Sequence, residues 1–159
     1  MRKLILTSVV ILLCAACDPY LSRYHSGTWF IKNCTDQTLT ISFPPHHRVW
    51  ENRDVAAGDS VSIHYCEFEW KSKVIPYFDR FLEDIAYYGD ENISLDVLSE
   101  QGELLKRWRY LDKDLPGKQF FNESPWHYSQ YHNKLDKVRI TAKWVFEILP
   151  EDLIGEKDE

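Results

Sequence analysis

Near the C-terminus, eleven residues alternate with period two. Val138, Ile140, Ala142, Trp144, Phe146 and Ile148 share one parity, while Arg139, Thr141, Lys143 and Glu147 share the other. A helix would scatter these side chains around its axis, so only a strand places all the apolar ones on one face. A strand with one dry and one wet face belongs to an antiparallel sheet. The same signature recurs earlier. Leu39, Ile41 and Phe43 alternate with Thr38, Thr40 and Ser42; Val61, Ile63 and Tyr65 with Ser62 and His64; Ile93, Leu95 and Val97 with Ser94 and Asp96. Residues 28–34 and 38–43 are expected to be joined by Thr35-Asp36-Gln37 as a hairpin-like turn. Residues 93–98 and 103–110 are expected to be joined by Ser99-Glu100-Gln101-Gly102, where Gly102 takes a positive φ. Gly58-Asp59 breaks the chain before the third strand.

One segment departs from this period. Tyr77, Phe78, Phe81, Leu82 and Ile85 recur at helical spacing, with Pro76 at the entry, and predict a single short amphipathic helix. Residues 112–133, rich in turn formers and rings, read as a long loop or an irregular edge strand. There is no internal repeat, heptad run or low-complexity stretch. The expected fold is therefore mainly β: a small antiparallel β-sandwich, immunoglobulin-like in one version, or a partly open barrel, with one short helix. Composition agrees with a folded chain, because 23 aromatic residues among 159 supply bulk that disordered segments lack. A formal charge of −6 argues against nucleic acid as a partner, since phosphate binding rests on Lys and Arg.

The first residues carry an address. Arg2 and Lys3 precede ten mostly apolar residues, Leu4 to Leu13, and then Cys14-Ala15-Ala16-Cys17. Ten helical residues reach about 15 Å, half of a hydrocarbon core, so the segment reads as a cleavable signal and not as a span. Small residues at 15 and 16 directly before a cysteine resemble the lipobox of bacterial lipoproteins, although Cys14 stands where that family usually has Leu. The resemblance implies that Cys17 receives a diacylglyceryl group and becomes the first mature residue, with acyl chains such as palmitate anchoring the protein without a spanning helix. Asp18 resembles the inner-membrane retention signal of some enteric bacteria, and the acidic run associated with surface export is missing. A periplasm-facing, lipid-anchored envelope protein is the expectation. Its divisions would be residues 1–16 as signal peptide, 17–27 as lipidated cysteine and tether, 28–149 as one β-rich domain, and 150–159 as an acidic tail that frays. Removal of Arg2 and Lys3 takes the formal charge from −6 to −8. The layout, with Asn33-Cys34-Thr35 after the first strand and a long last strand, also resembles the small β-rich lipoproteins of gut Gram-negative bacteria.

Processing would leave Cys34 and Cys66. In an oxidising envelope these are expected to pair, closing a loop worth roughly 3–4 kcal/mol, with two buried free thiols as the alternative. Cys66 shares its phase with Phe68 and Trp70 and not with Val61, Ile63 and Tyr65, so pairing requires a bulge near Tyr65 or an outer-face bridge. No metal or cofactor is expected. His46, His47, His64, His127 and His132 have neither the spacing nor the neighbouring carboxylates of a ligand set. No nucleophile elbow, P-loop, dinucleotide fingerprint or zinc-helix motif occurs, and Asp79/Glu83, Asp112/Asp114 and Glu67/Glu69 are undistinguished pairs. No catalytic residue is expected, which leaves an unrecognised hydrolase as a minor alternative.

The aromatic surplus is more informative. Trp50, Trp70, Phe120, Phe121, Trp126, Tyr128 and Tyr131 lie outside the alternating positions, and either plug the ends of a sandwich or present rings to a ligand. Phe120, Phe121, Trp126, Tyr128 and Tyr131 form the candidate ligand surface. Asp59-Ser60-Val61 resembles the periplasmic O-glycosylation site of some gut anaerobes, which makes Ser60 a candidate for modification. Three Asn-x-Ser/Thr sequons, at Asn33, Asn92 and Asn122, are read as coincidental in a bacterium. These features together predict a non-catalytic binding or accessory module for a glycan or another envelope protein. An inhibitor of a basic lytic enzyme such as lysozyme is the alternative, favoured by the acidic charge.

Overall fold

The computed structural model describes residues 24–44, 52–69, 75–88, 92–132 and 139–153. Residues 1–23, which hold the expected signal peptide, Cys17 and most of the expected tether, lie outside the described residues, as do His46, His47, Trp50, Trp70 and Val138. Among the described residues eight strands form two four-stranded sheets around one core: β1 (Tyr24–Asn33), β2 (Leu39–Ser42), β3 (Arg53–Val55), β4 (Ser60–Glu69), β5 (Ser94–Ser99), β6 (Leu104–Arg109), β7 (His127–His132) and β8 (Ile140–Ile148). Sheet A has the order β4-β1-β8-β7 and sheet B the order β3-β2-β5-β6. A mainly β sandwich is thus what the chain forms, with two separate sheets in place of a barrel. The disulfide that marks an immunoglobulin domain is absent, both described cysteines being free.

Alternation sets the strands, but pairing departs from expectation in two places. At the centre of sheet A, β1 and β8 run parallel, Trp29 opposite Trp144 and Ile31 opposite Phe146. Their partnership joins distant parts of the chain, so no hairpin obliges them to be antiparallel. Nor do β1 and β2 form a hairpin: they lie in different sheets. The reason is Asn33, buried at 1 % exposure. Its Oδ1 accepts from Thr35 N at 2.9 Å and Thr35 Oγ1 at 2.7 Å, while its Nδ2 donates to Gln37 O at 2.7 Å and Val55 O at 2.9 Å. This Asx-type turn bends the chain out of sheet A and ties it to β3. The Asn-x-Thr pattern thereby has a structural role. The β5–β6 hairpin forms as expected, with Gly102 at φ +81 and its N–H donating to Ser99 O at 2.9 Å.

Helix α1 (Asp79–Tyr88) buries Phe81, with Phe78 just ahead of it, whereas Tyr77 stays 36 % exposed instead of joining the apolar face. Residues 112–132 combine both expected forms, a loop followed by the edge strand β7. The folded region extends past the expected boundaries at each end. Residues 24–27 belong to β1 and not to the tether. Pro150–Asp152 forms a 3-10 turn, held where Asp152 Oδ2 accepts from Leu149 N at 2.8 Å and pairs with Lys118. No helix among the described residues is long and apolar enough to cross a membrane.

Candidate functional site

The inner face of sheet A is organised as rows across all four strands. His64, Trp29, Trp144 and Tyr128 stand opposite one another in register. Trp29 and Trp144 stack at 4.5 Å and 6°, His64 lies 5.1 Å from Trp29, and Tyr128 lies 5.0 Å from Trp144. The adjacent row is Cys66, Gly27, Ala142 and Gln130, and the indoles lean over it. A Cβ on Gly27 would sit 2.9 Å from Trp29 and 3.2 Å from Trp144, so this position admits only glycine without a shift. Phe120, Phe121 and Trp126 complete the core at the other end, at 0 %, 1 % and 6 % exposure. Phe120 meets Phe146 at 5.1 Å and Phe81 at 5.9 Å, and Trp126 Nε1 donates to Phe120 O at 2.8 Å. These three are not ligand-binding rings. They are the plug of the sandwich, because the loop folds inward over an end that the strands leave open.

Tyr128 and Tyr131, by contrast, are 47 % and 60 % exposed. Tyr131 belongs to the outer face of sheet A, where the register lays out a second set of rows. One runs Tyr131, Thr141, Ser26, Glu67; the next Ser129, Lys143, Thr28, Tyr65; a third His127, Val145, Phe30, Ser62. Tyr65, 55 % exposed, lies across the sheet from Tyr131, at a Cα separation of roughly 16 Å from three strand spacings and two residues of rise. Between the two rings lie four hydroxyl side chains and Lys143, whose Nζ sits 4.5 Å over the Phe30 ring. Ser26 Oγ donates to Thr141 Oγ1 at 3.4 Å, and Tyr65 OH donates to Glu67 at 2.9 Å. At the far margin Lys32 pairs with Glu147 at 2.9 Å, which raises the Lys32 pKa and lowers that of Glu147. Chemically the face is hydroxyl-rich, with aromatic rings at two corners and charges of both signs.

Tyr65 was expected to share a face with Ile63. A bulge prevents it: Trp29 pairs with His64 and Phe30 with Ser62, leaving Ile63 as the extra residue on β4. Beyond it the parity reverses, so His64, Cys66 and Phe68 turn inward and Tyr65 and Glu67 outward. The opposite phase of Cys66 and Phe68 was the signal in the sequence.

The expected Cys34–Cys66 disulfide does not form. Both thiols are free. Cys66 stands opposite Gly27, whereas Cys34 follows the last residue of β1, so about seven residues or 23 Å of strand separate them, against the 4.4–6.8 Å a disulfide spans. Cys66 also neighbours a cluster that resembles a catalytic arrangement. His64 Nε2 lies 3.0 Å from Asp84 Oδ2, and Arg80 Nη2 lies 2.9 Å from Asp84 Oδ1. Burial, aided by the Asp84 charge, pushes the Cys66 thiol up to about 12, the opposite of an activated thiolate. Burial also lowers the His64 pKa, outweighing the upward pull of Asp84. The cluster docks α1 on sheet A.

Of the other histidines, His25 Nδ1 accepts from Ile140 N at 3.0 Å, His127 Nε2 lies 3.4 Å from Glu147, and His132 is exposed on β7. Among the described residues no three His, Cys, Asp or Glu side chains are grouped to hold a metal ion. Ser60 is exposed at the first position of β4, after the Gly58 turn. No family model matches this sequence, and no curated protein or solved structure matches it.

Proposed function

We propose that this chain is a non-catalytic, lipid-anchored protein of the bacterial cell envelope, held through Cys17 on the periplasmic side, whose sheet A outer face binds a glycan. The observation that carries the binding reading is the pairing of Tyr65 and Tyr131 across a bed of Ser26, Thr28, Ser129, Thr141 and Lys143. Rings with polar edges stack on the C–H faces of sugars, and the hydroxyls and ammonium between them suit sugar hydroxyls. The span fits a short oligosaccharide better than a single sugar. The anchor reading rests on the lipobox-like Cys14-Ala15-Ala16-Cys17 after a short apolar stretch. Ser60, exposed within Asp59-Ser60-Val61, is the proposed O-glycosylation position, which intact mass of the native protein would reveal.

Inhibition of a basic lytic enzyme is the second reading, favoured by the mature formal charge of −8. The outer face does not focus that charge, because Lys32, Lys143 and Arg139 stand there beside Glu67 and Glu147. Retention on immobilised polysaccharides, compared with retention on immobilised lysozyme, separates the readings. Retention on a polysaccharide that is lost in Tyr65→Ala/Tyr131→Ala supports the proposal. Retention on lysozyme alone overturns it. Incorporation of labelled palmitate that disappears in Cys17→Ser is the expected result for the anchor; equal labelling of the variant, or none of the parent, contradicts it.

A further inference from the structure

Sheet edges offer unpaired backbone donors and acceptors to any neighbouring strand, and folded proteins guard them with charge, shortness or bulges. Three of the four described edges here are guarded. β3 is three residues long and carries Arg53 and Asp54. β6 carries Lys106, Arg107 and Arg109. β4 is bulged at Ile63, and Arg53 Nη1 donates to its Ser62 O at 2.7 Å. β7 is different. It reads His127-Tyr128-Ser129-Gln130-Tyr131-His132, with no lysine, arginine, carboxylate or proline, no bulge in its register with β8, and all six residues exposed. Its other side has no strand among the described residues.

We propose that β7 is a self-association edge, through which two copies of this chain pair antiparallel and join their A sheets into one eight-stranded sheet. A second copy is an occupant whose strand sets no lysine, arginine or carboxylate against β7. A twofold axis along the sheet normal keeps each outer face outward, so only residues of like parity meet. Centred on Ser129, it sets His127 opposite Tyr131 of the second copy and Tyr128 opposite its Gln130. Centred on Gln130, it sets Tyr128 opposite His132 and Ser129 opposite Tyr131. Both registers oppose hydrogen-bonding side chains and no lysine, arginine or carboxylate, and Tyr128 OH already donates to Gln130 within one strand at 2.7 Å. The corresponding registers of β6 would oppose Lys106 or Arg107 to itself. A chain of net charge −6 repels its own copy, and contact through an edge free of fixed charge brings the fewest like charges together. The two outer faces would then lie side by side as one surface, whatever that surface binds.

The test is light scattering on gel filtration of the full chain in mild detergent, from micromolar to near-millimolar concentration, with the empty micelle subtracted. A concentration-dependent dimer is expected, weakened at least tenfold in Ser129→Lys/Gln130→Lys, which sets like charges across the axis in either register. A monomer at every concentration, or a dimer unchanged in that variant, overturns the proposal. Should the double variant fail to fold, cross-linking decides. In a Cys34→Ser background, Ser129→Cys or Gln130→Cys should give an oxidised dimer above a control lacking the new cysteine. No excess from either position overturns the proposal.

Discussion

The two faces of sheet A are built from neighbouring residues of the same four strands and do opposite things. The inner row His64, Trp29, Trp144, Tyr128 is a stack of rings, closed over Gly27 and Ala142 and capped by α1. The outer row Tyr65, Thr28, Lys143, Ser129 differs from it by one residue on each strand, and it is polar and open. What the difference teaches is how much hangs on phase. A single extra residue on β4, Ile63, moves Tyr65 from the side that holds the fold to the polar, open side. The same division runs through residues 120–131, where Phe120 and Trp126 are sealed in while Tyr131 is mostly exposed.

Substitutions should separate the faces by size of effect. Trp144→Ala removes a fully buried ring from the inner row and is expected to cost about 3–5 kcal/mol, whereas Tyr65→Ala should stay within about 0.5 kcal/mol, as read by urea denaturation. Equal losses would erase the distinction. Asn33→Ala, at the inner end of β1, strands the acceptors Gln37 O and Val55 O and the donor Thr35 N, for an expected loss of about 3 kcal/mol. A loss below about 1 kcal/mol would mean that water replaces the turn. Gly27→Ala should cost about 1–3 kcal/mol by pushing the stacked indoles apart, while Ser26→Ala, one residue along and outward, should be near neutral.

The smallest effect is on pH. Burial holds the His64 pKa below its ordinary 6.5, so below that pH the unfolded chain takes up a proton that the folded chain refuses. Its contribution to stability is complete above 6.5 and declines as pH falls toward the folded value. Thermal melts between pH 7 and 5 should show this slope in the parent and a shallower one in His64→Gln. The Glu147 pKa is lowered by its bond to Lys32, so its contribution is lost only at lower pH, below about 4.5. Unchanged slope in the histidine variant would place the pH response elsewhere.

Much of the inner face was legible in the sequence, because burial of alternate residues leaves a period that needs no knowledge of partners. β8, β5, the Gly102 hairpin and the helix around Phe81 all follow from it. What period two cannot convey is which strands meet. The parallel β1–β8 pair and the exit of the chain at Asn33 depend on contacts between distant segments and on one buried side chain. The Cys34–Cys66 pairing failed for the same reason, since redox compartment and count say nothing of register. The loop carrying Phe120, Phe121 and Trp126 has no period at all, so its rings could not be assigned to the core before the fold was known. Of the candidate site, Tyr131 stood out as a ring outside the alternating positions, but Tyr65 was hidden by the bulge.

Tyr128 and Tyr131 lie three residues apart on β7, one on each face, and they test the division most directly. Both alanine variants should be titrated with the polysaccharide that retains the parent, and melted under the same conditions. Tyr131→Ala should lose at least tenfold in affinity at an unchanged melting temperature. Tyr128→Ala, which gives up its contact with Trp144, should melt a few degrees lower, by about 1 kcal/mol, and bind as the parent does. The reverse pattern, with binding lost at Tyr128 and stability lost at Tyr131, would contradict the assignment of the outer face to recognition.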